Sequence, residues 1–231
     1  MDRSPQIVEI VGPPGVGKTT FAENLYKRSK NIQIGVTPYF RRIRYIPFFA
    51  WHTIRLLPTL LHIRAGRDGR WLTRREIALM IILTGWQQEL ERKVFDERRF
   101  VVLDEGPICY LTRLLAFGSE SIKGQSAQSW WNKMFHLWAE TLDIVIQFDL
   151  PDAMLVERIR AREMWQEVKA LSDQEAINYL GCFRAAQEHV LAALGANERR
   201  PVVFNFDMAQ KSPDGICDEV MSRLGFAPGG D

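Results

Sequence analysis

One segment restricts this chain more than any other. The apolar run Ile7–Val11 leads into Gly12-Pro13-Pro14-Gly15-Val16-Gly17-Lys18-Thr19-Thr20, and an amphipathic helical pattern follows, from Thr19 to Arg28. The pattern G-x-x-x-x-G-K-[ST] between a strand and a helix is a phosphate cradle. Its glycines allow a tight turn that brings backbone N–H groups close to phosphate oxygens, and the positive end of the following helix favours an anion. In such a cradle Lys18 reaches the β- and γ-phosphates, the Thr19 hydroxyl coordinates Mg²⁺, and Thr20 adds a donor to the α-phosphate. The segment from Gly12 to Thr20 is therefore expected to bind ATP or GTP together with magnesium.

A cradle of this kind needs a sheet to hold it. Four further runs rich in apolar and β-branched residues read as strands: Ile32–Val36, Phe100–Asp104, Asp143–Phe148 and Val202–Phe206. Helical periodicity fills the intervals, over Thr73–Phe95, Trp130–Glu140, Pro151–Leu171, Asp173–Leu194 and Pro213–Leu224. Strands alternating with helices predict a parallel sheet covered on both faces. Continuous apolar strands such as Val101-Val102-Leu103 fit that double covering. The turn-rich stretches Ala65–Gly69 and Gly118–Ser126 read as exposed loops, Gly106-Pro107 as a sharp turn, and Ala227–Asp231 as a fraying tail. With 231 residues, 46% of them hydrophobic, the chain can build one domain with a sizeable core.

Two further features belong with the cradle. The strand Phe100–Leu103 ends in Asp104-Glu105, and acids at the carboxyl end of a strand beside the cradle lie near the metal and the γ-phosphate. Asp104 is expected to orient Mg²⁺, and Glu105 to accept the proton of an acceptor hydroxyl or to position a water. The alternation of strand side chains leaves the division of these two roles open. After the fourth strand, Asp149-Leu150-Pro151 opens a helix on which Arg158 and Arg162 stand four residues apart, on one face. Such a pair can clamp phosphates and neutralise charge during phosphoryl transfer.

With cradle, acid-ended strand and arginine helix in this order, the chain resembles the P-loop kinases of the thymidylate kinase and deoxynucleoside kinase group, from Ile7 to about Leu224. The resemblance implies an α/β three-layer sandwich of the P-loop NTPase type, with a five-stranded parallel sheet, helices on both faces and a helical lid. It implies one domain over 1–231, with an acceptor-side helical insertion at about 38–98 and a lid helix at about 151–171. It further implies transfer of the γ-phosphate of ATP to a small acceptor. Lys18, Asp104, Glu105, Arg158 and Arg162 would be the catalytic set, and Thr19 and Asp104 the magnesium ligands. Many such kinases are dimers, so a homodimer is admitted. One departure stands out: both groups carry an arginine after the strand-end acid, whereas this chain reads Asp104-Glu105-Gly106-Pro107. That opens the acceptor to compounds other than nucleosides and nucleotides.

The acceptor side is expected between the second and third strands. Tyr39, Arg41, Arg42 and Arg44 stand there among aromatic residues, a setting suited to a phosphate, a carboxylate or an amphipathic glycolipid. The apolar stretch Tyr45–Ile63 is interrupted by Pro47, His52, Arg55 and Pro58, so it reads as a helical insertion rather than a membrane span. A peripheral membrane contact or a lipid-linked acceptor stays open. On the helix starting at Trp130, the residues Trp131, Phe135 and Trp138 share one face and read as core.

The remaining composition excludes other classes. Thirty Lys and Arg against 28 Asp and Glu give no basic footprint for nucleic acid. Cys109, Cys182 and Cys217 are scattered, without metal spacing, which with the short polar start fits a cytoplasmic protein. A guanine-reading Asn-Lys-x-Asp is absent, since Asn132-Lys133 continues as Met134-Phe135. That weighs against a GTPase and leaves a nucleotide-dependent ATPase or switch acting on a protein partner as the alternative to a kinase.

Overall fold

A computed structural model of the protein describes residues 5–38, 43–66, 70–92, 99–161 and 167–226. Five strands, β1 (Gln6–Val11), β2 (Ile32–Ile34), β3 (Phe100–Leu103), β4 (Ile144–Asp149) and β5 (Val202–Asp207), form one parallel sheet in the order β2-β3-β1-β4-β5. The strand that feeds the cradle is thus central, and β3, which ends in the two acids, lies directly beside it. Glu9 pairs with Leu103, so Asp104 leaves β3 level with Ile10, two residues before the start of the cradle. The sequence expectation of a five-stranded parallel sheet holds, with strand ends shifted by one or two residues.

Alternation along the strands sorts side chains into two apolar layers. Val8, Ile10, Phe100, Val102, Ile146 and Phe148 pack against α1 (Lys18–Arg28), α7 (Asp152–Ala161) and α9 (Pro213–Arg223). Val11, Val101, Leu103 and Val145 face the opposite layer, built from α2 (Ile46–Ala65), α3 (Arg74–Arg92), α4 (Pro107–Phe117) and α6 (Gln128–Thr141). The long helix α8 (Asp173–Gly195) joins both, giving Ala176 and Leu180 to the first layer and Val190 and Leu194 to the second. The expected aromatic stripe of α6 is core: Trp131 and Trp138 are buried, and Phe135 packs half-buried against the same cluster.

Helix starts follow local chemistry. Ser172 and Glu175 form a reciprocal capping box on α8, and Ser212 accepts from Gly215 N at 3.2 Å ahead of Pro213 in the first turn of α9. Three expectations need correction. Gly106-Pro107 does not turn the chain away but starts α4, because proline fits the first helical position, where its missing N–H costs nothing. The stretch Gly118–Ser126 is not a plain loop. Its centre winds into α5 (Glu120–Lys123), and a single 3₁₀ turn begins at Gln125. Helix α7 is described over Asp152–Ala161, and Glu167–Ala170 is a 3₁₀ turn, so Pro151–Leu171 is not α-helical throughout. Among the described residues, no helix is long and apolar enough to cross a membrane.

Candidate active site

The cradle turns on glycines in the left-handed region, with φ of 146° at Gly12, 89° at Gly15 and 108° at Gly17. At Gly12 there is also no room for a side chain, since a Cβ would come within 2.5 Å of the Phe148 carbonyl oxygen. Helix α1 then begins with no side-chain cap and no acid in its first turn, which leaves its positive end to an incoming anion. Lys18 Nζ donates to the carbonyl oxygens of Gly12 at 2.9 Å and Pro13 at 3.2 Å, folded under its own loop. Burial holds its ammonium below the ordinary lysine value, against the nearby charges of Asp104 and Glu105. A triphosphate brought into the loop would favour the charged form.

The two acids separate as soon as β3 ends. Asp104 accepts from the Thr19 side chain, and burial raises its pKa against that hydrogen bond and Lys18. Its Oδ1 is buried with no hydrogen-bond partner among the described residues. A buried carboxylate oxygen without a donor, beside a threonine hydroxyl, is the hard oxygen pair that a magnesium ion takes. Glu105 accepts from Arg113 at 3.0 Å. Arg113 sits on α4, eight residues along the chain from that acid. The helix that Pro107 starts thus brings a guanidinium to the strand-end acids.

A carboxyl group that sequence reasoning passed over fixes this arrangement. Glu9 lies in the middle of β1, completely buried. Its oxygens accept from Ile108 N and Cys109 N, both at 3.0 Å, and from Gly106 N. Helix α4 has no cap from its own Gly106, so the strand beneath provides one. Gly106 is required there, because a Cβ would come within 2.3 Å of the Glu9 carboxyl carbon. Glu9 therefore locks the segment Asp104–Cys109 to the strand that carries the cradle.

Burial pushes the Glu9 carboxyl up to about 8, against the three N–H donors that pull it down. The native state thus favours the protonated form. That stabilisation is fully present below the ordinary value of 4.5 and is lost as pH rises through about 8. Glu9→Gln should remove this pH dependence, which is on the order of 4 kcal/mol. It should also cost roughly 1–3 kcal/mol at pH 5, because the amide offers one acceptor to two opposed N–H groups. Urea unfolding at pH 5 and pH 8 checks this, and an unchanged loss of stability between the two pH values would count against it.

A cleft of about 490 Å³ opens beside the cradle. Pro14, Gly15, Lys18 and Thr19 line one side, and Asp104, Glu105 and Arg113 the next. Arg70, ahead of α3, and Arg75, in its first turn, face it from beyond, and Phe117, Tyr179 and Phe183 add an aromatic wall. Phe117 and Tyr179 stack with ring centroids 4.2 Å apart and planes 15° from parallel. Glu76, also in the lining, is structural. It accepts from Thr73 N and Ser119 N at 2.5 Å each, while Thr73 Oγ1 accepts from Glu76 N. This capping box holds the start of α3 against the start of α5. Those hydrogen bonds keep Glu76 below the usual carboxylate value although burial pushes it up. Burial raises the Cys109 thiol to about 11, so it stays protonated and is no nucleophile.

The other sequence candidates fall differently. Arg158 lies on α7 with Nη1 3.5 Å from the Val16 carbonyl oxygen, beside the cradle and outside the cleft lining. The root of α7 is tied down by Arg184, which pairs with Asp149 and Asp152 and donates to Leu150 O at 2.6 Å. Arg162 lies outside the described residues, as do Tyr39, Arg41 and Arg42. Arg44 is described: it donates to Tyr45 Oη at 3.1 Å and does not line the cleft. Among the described residues no group of His, Cys, Asp and Glu forms a multi-ligand metal cluster.

No protein-family model and no curated protein matches the chain. Solved structures do. A deoxyadenosine kinase from M. mycoides with bound dATP superposes with a TM-score of 0.56 at 13% identity, covering 95% of this chain and 99% of that one. The same kinase with bound dCTP gives 0.55 at 14% identity, covering 95% and 98%. The chain therefore has the fold of the deoxynucleoside kinase-like P-loop kinases over almost its whole length.

Proposed function

We propose that the protein is an ATP- and magnesium-dependent phosphotransferase acting on a small acceptor that carries a hydroxyl or phosphate group. The observation that carries this reading is the shared cleft. The cradle, the strand-end acids and a wall of arginines and aromatic rings all open into one space beside the position of a terminal phosphate. A nucleotidase or switch needs the cradle and an acid but has no use for such a wall. The fold likeness to a kinase supports the same reading.

In this account Lys18 and the backbone N–H groups of the cradle hold the β- and γ-phosphates. Thr19 and Asp104 would hold Mg²⁺, which when bound offsets negative charge on the phosphates. Glu105, on the acceptor side of the cleft, takes the proton from the acceptor hydroxyl as its oxygen bonds to phosphorus and the bond to the nucleoside diphosphate breaks. Arg113 and the pair Arg70 and Arg75 hold an anionic group of the acceptor, and Phe117 with Tyr179 offers a flat apolar surface. The insertion at 38–98 forms the acceptor side, and α7 with Arg158 braces the cradle as a lid element.

Consumption of ATP with Mg²⁺, alone and against pools of nucleosides, nucleotides, sugar phosphates and lipid-linked glycans, tests the proposal. Consumption should appear only with one acceptor pool; steady hydrolysis that ignores every pool would contradict it. Once an acceptor is in hand, Arg113→Gln should raise its KM by roughly 10- to 100-fold, as expected for a lost charged hydrogen bond. The KM for ATP should stay near that of the unmodified protein. Equal rises in both constants would remove Arg113 from acceptor binding.

A further inference from the structure

Helix α2 is apolar on two opposite faces. Phe48, Phe49, His52, Leu56, Leu60 and Ile63 are buried against the core. On the other side, Ile46, Trp51, Ile54, Leu57 and Leu61, with Ile43 just ahead of the helix, are each between 48% and 83% exposed. At 100° per residue, Ile46, Ala50, Ile54, Leu57 and Leu61 form one continuous outward stripe, with Pro47, Trp51 and Pro58 along its edge. A helix apolar on both faces calls for a second cover, and contiguous exposed patches of this kind mark interaction surfaces.

Charge identifies the cover. Exposed Arg64 stands at one margin of the stripe, Arg55 lies beyond Trp51 on the other side, and Arg44 stands at the helix entrance. Between Glu23 and Asp68 the chain has no acid at all, while it carries nine lysines and arginines. A second copy of this chain fits poorly, because a twofold contact along α2 would bring together two helices that carry arginines and no carboxylate to offset them. An apolar stripe with a tryptophan at its edge and a cationic border instead matches an anionic lipid surface, with the stripe lying in the headgroup boundary.

We propose that the outward face of α2 docks on an anionic membrane surface, with Ile54, Leu57 and Leu61 entering the boundary and Arg44, Arg55 and Arg64 meeting lipid phosphates. This contact is independent of the phosphotransferase reading. It is tested by sedimentation of the full chain with phosphatidylcholine vesicles with and without phosphatidylglycerol. At about fivefold per arginine, three arginines should favour the anionic vesicles roughly a hundredfold, and added salt should weaken the effect. Ile54→Asp with Leu61→Asp should cut binding at least tenfold while melting temperature and ATP binding persist, since both side chains point to solvent. Arg55→Glu should reduce the preference for anionic vesicles.

Failure to sediment with anionic vesicles would overturn the proposal, as would equal binding to neutral ones. Undiminished vesicle binding by the double variant would exclude the apolar stripe as the contact. A dimer in analytical ultracentrifugation that the double variant splits, in a protein that ignores vesicles, would assign the face to a second copy instead.

Discussion

Replacing Lys18 by alanine should lower turnover by roughly 10²- to 10³-fold, the range seen when one preorganised charge-stabilising donor is removed. The fold should survive the change. Among the described residues Lys18 bonds to the Gly12 and Pro13 carbonyl oxygens of its own loop, so alanine forfeits about 1 kcal/mol of local hydrogen bonding. Against that loss, the ammonium is held below its ordinary pKa by burial, which means the folded state bears a cost for keeping it charged. Removing the charge relieves this cost, and the melting temperature should stay within a few degrees. Turnover and thermal unfolding measured together check both parts. Near-native turnover would remove the cradle from the chemistry, whereas loss of the folded state would make the activity result uninformative about Lys18 and transfer the question to Lys18→Met.

Asp104→Asn should have an effect of similar size on turnover, roughly 10²- to 10³-fold, but with a different signature. Asp104 bonds to the Thr19 side chain and has a buried oxygen with no donor among the described residues. Asparagine keeps the shape and removes the charge. The Mg²⁺ concentration needed for half-maximal turnover should therefore rise sharply, while binding of ATP without metal should change little. Stability should not fall, since burial already raises the pKa of this group and disfavours its charged form. A magnesium titration of turnover distinguishes the outcomes. An unchanged half-saturation point with normal activity would show that Asp104 is not part of the metal site.

How much of this site can be read from the sequence depends on how far apart its interacting parts lie. The cradle is written in consecutive residues, because its function is backbone shape and glycine spacing records that shape directly. The sheet is legible for a related reason: strands covered on both faces must be apolar throughout, and Phe100–Leu103 or Ile144–Phe148 leave little alternative. The start of α4 is harder, because Gly-Pro serves equally as a turn and as a helix entrance, and the difference is settled by Glu9, about a hundred residues earlier. Glu9 itself carries no local signal. An acid in an apolar strand reads as an interruption until α4 is seen to need a cap. The same holds for Glu76, whose link to Thr73 follows the short capping pattern, while its link to Ser119 spans 43 residues.

The acceptor side shows the limit most clearly. Aromatic and basic residues before α2 suggest a binding wall, and Tyr39, Arg41 and Arg42 among them lie outside the described residues. Among the described residues, the cleft wall beyond the cradle and the strand-end acids comes mainly from α3 and the residues just ahead of it, from α4 and from α8. Arg113 follows Glu105 by eight residues, and only a helix beginning at Pro107 brings them within 3.0 Å. Read as a turn, the Gly106-Pro107 pair hides that contact. The apolar residues of α2 are likewise ambiguous in sequence, because a helix apolar all round does not reveal which face meets the core.

The central claim is that this cleft passes phosphate to a small molecule and not to water. It is tested most directly by one single-turnover experiment. The protein, Mg²⁺ and ATP labelled at the γ-phosphate are mixed with the acceptor pool that stimulates consumption, and the label is then separated into acceptor and inorganic phosphate. The account predicts label in the acceptor, stoichiometric with ADP formed and absent with Lys18→Ala. Label recovered only as inorganic phosphate, at the same rate with or without the acceptor, would contradict it and make the protein a nucleotide hydrolase.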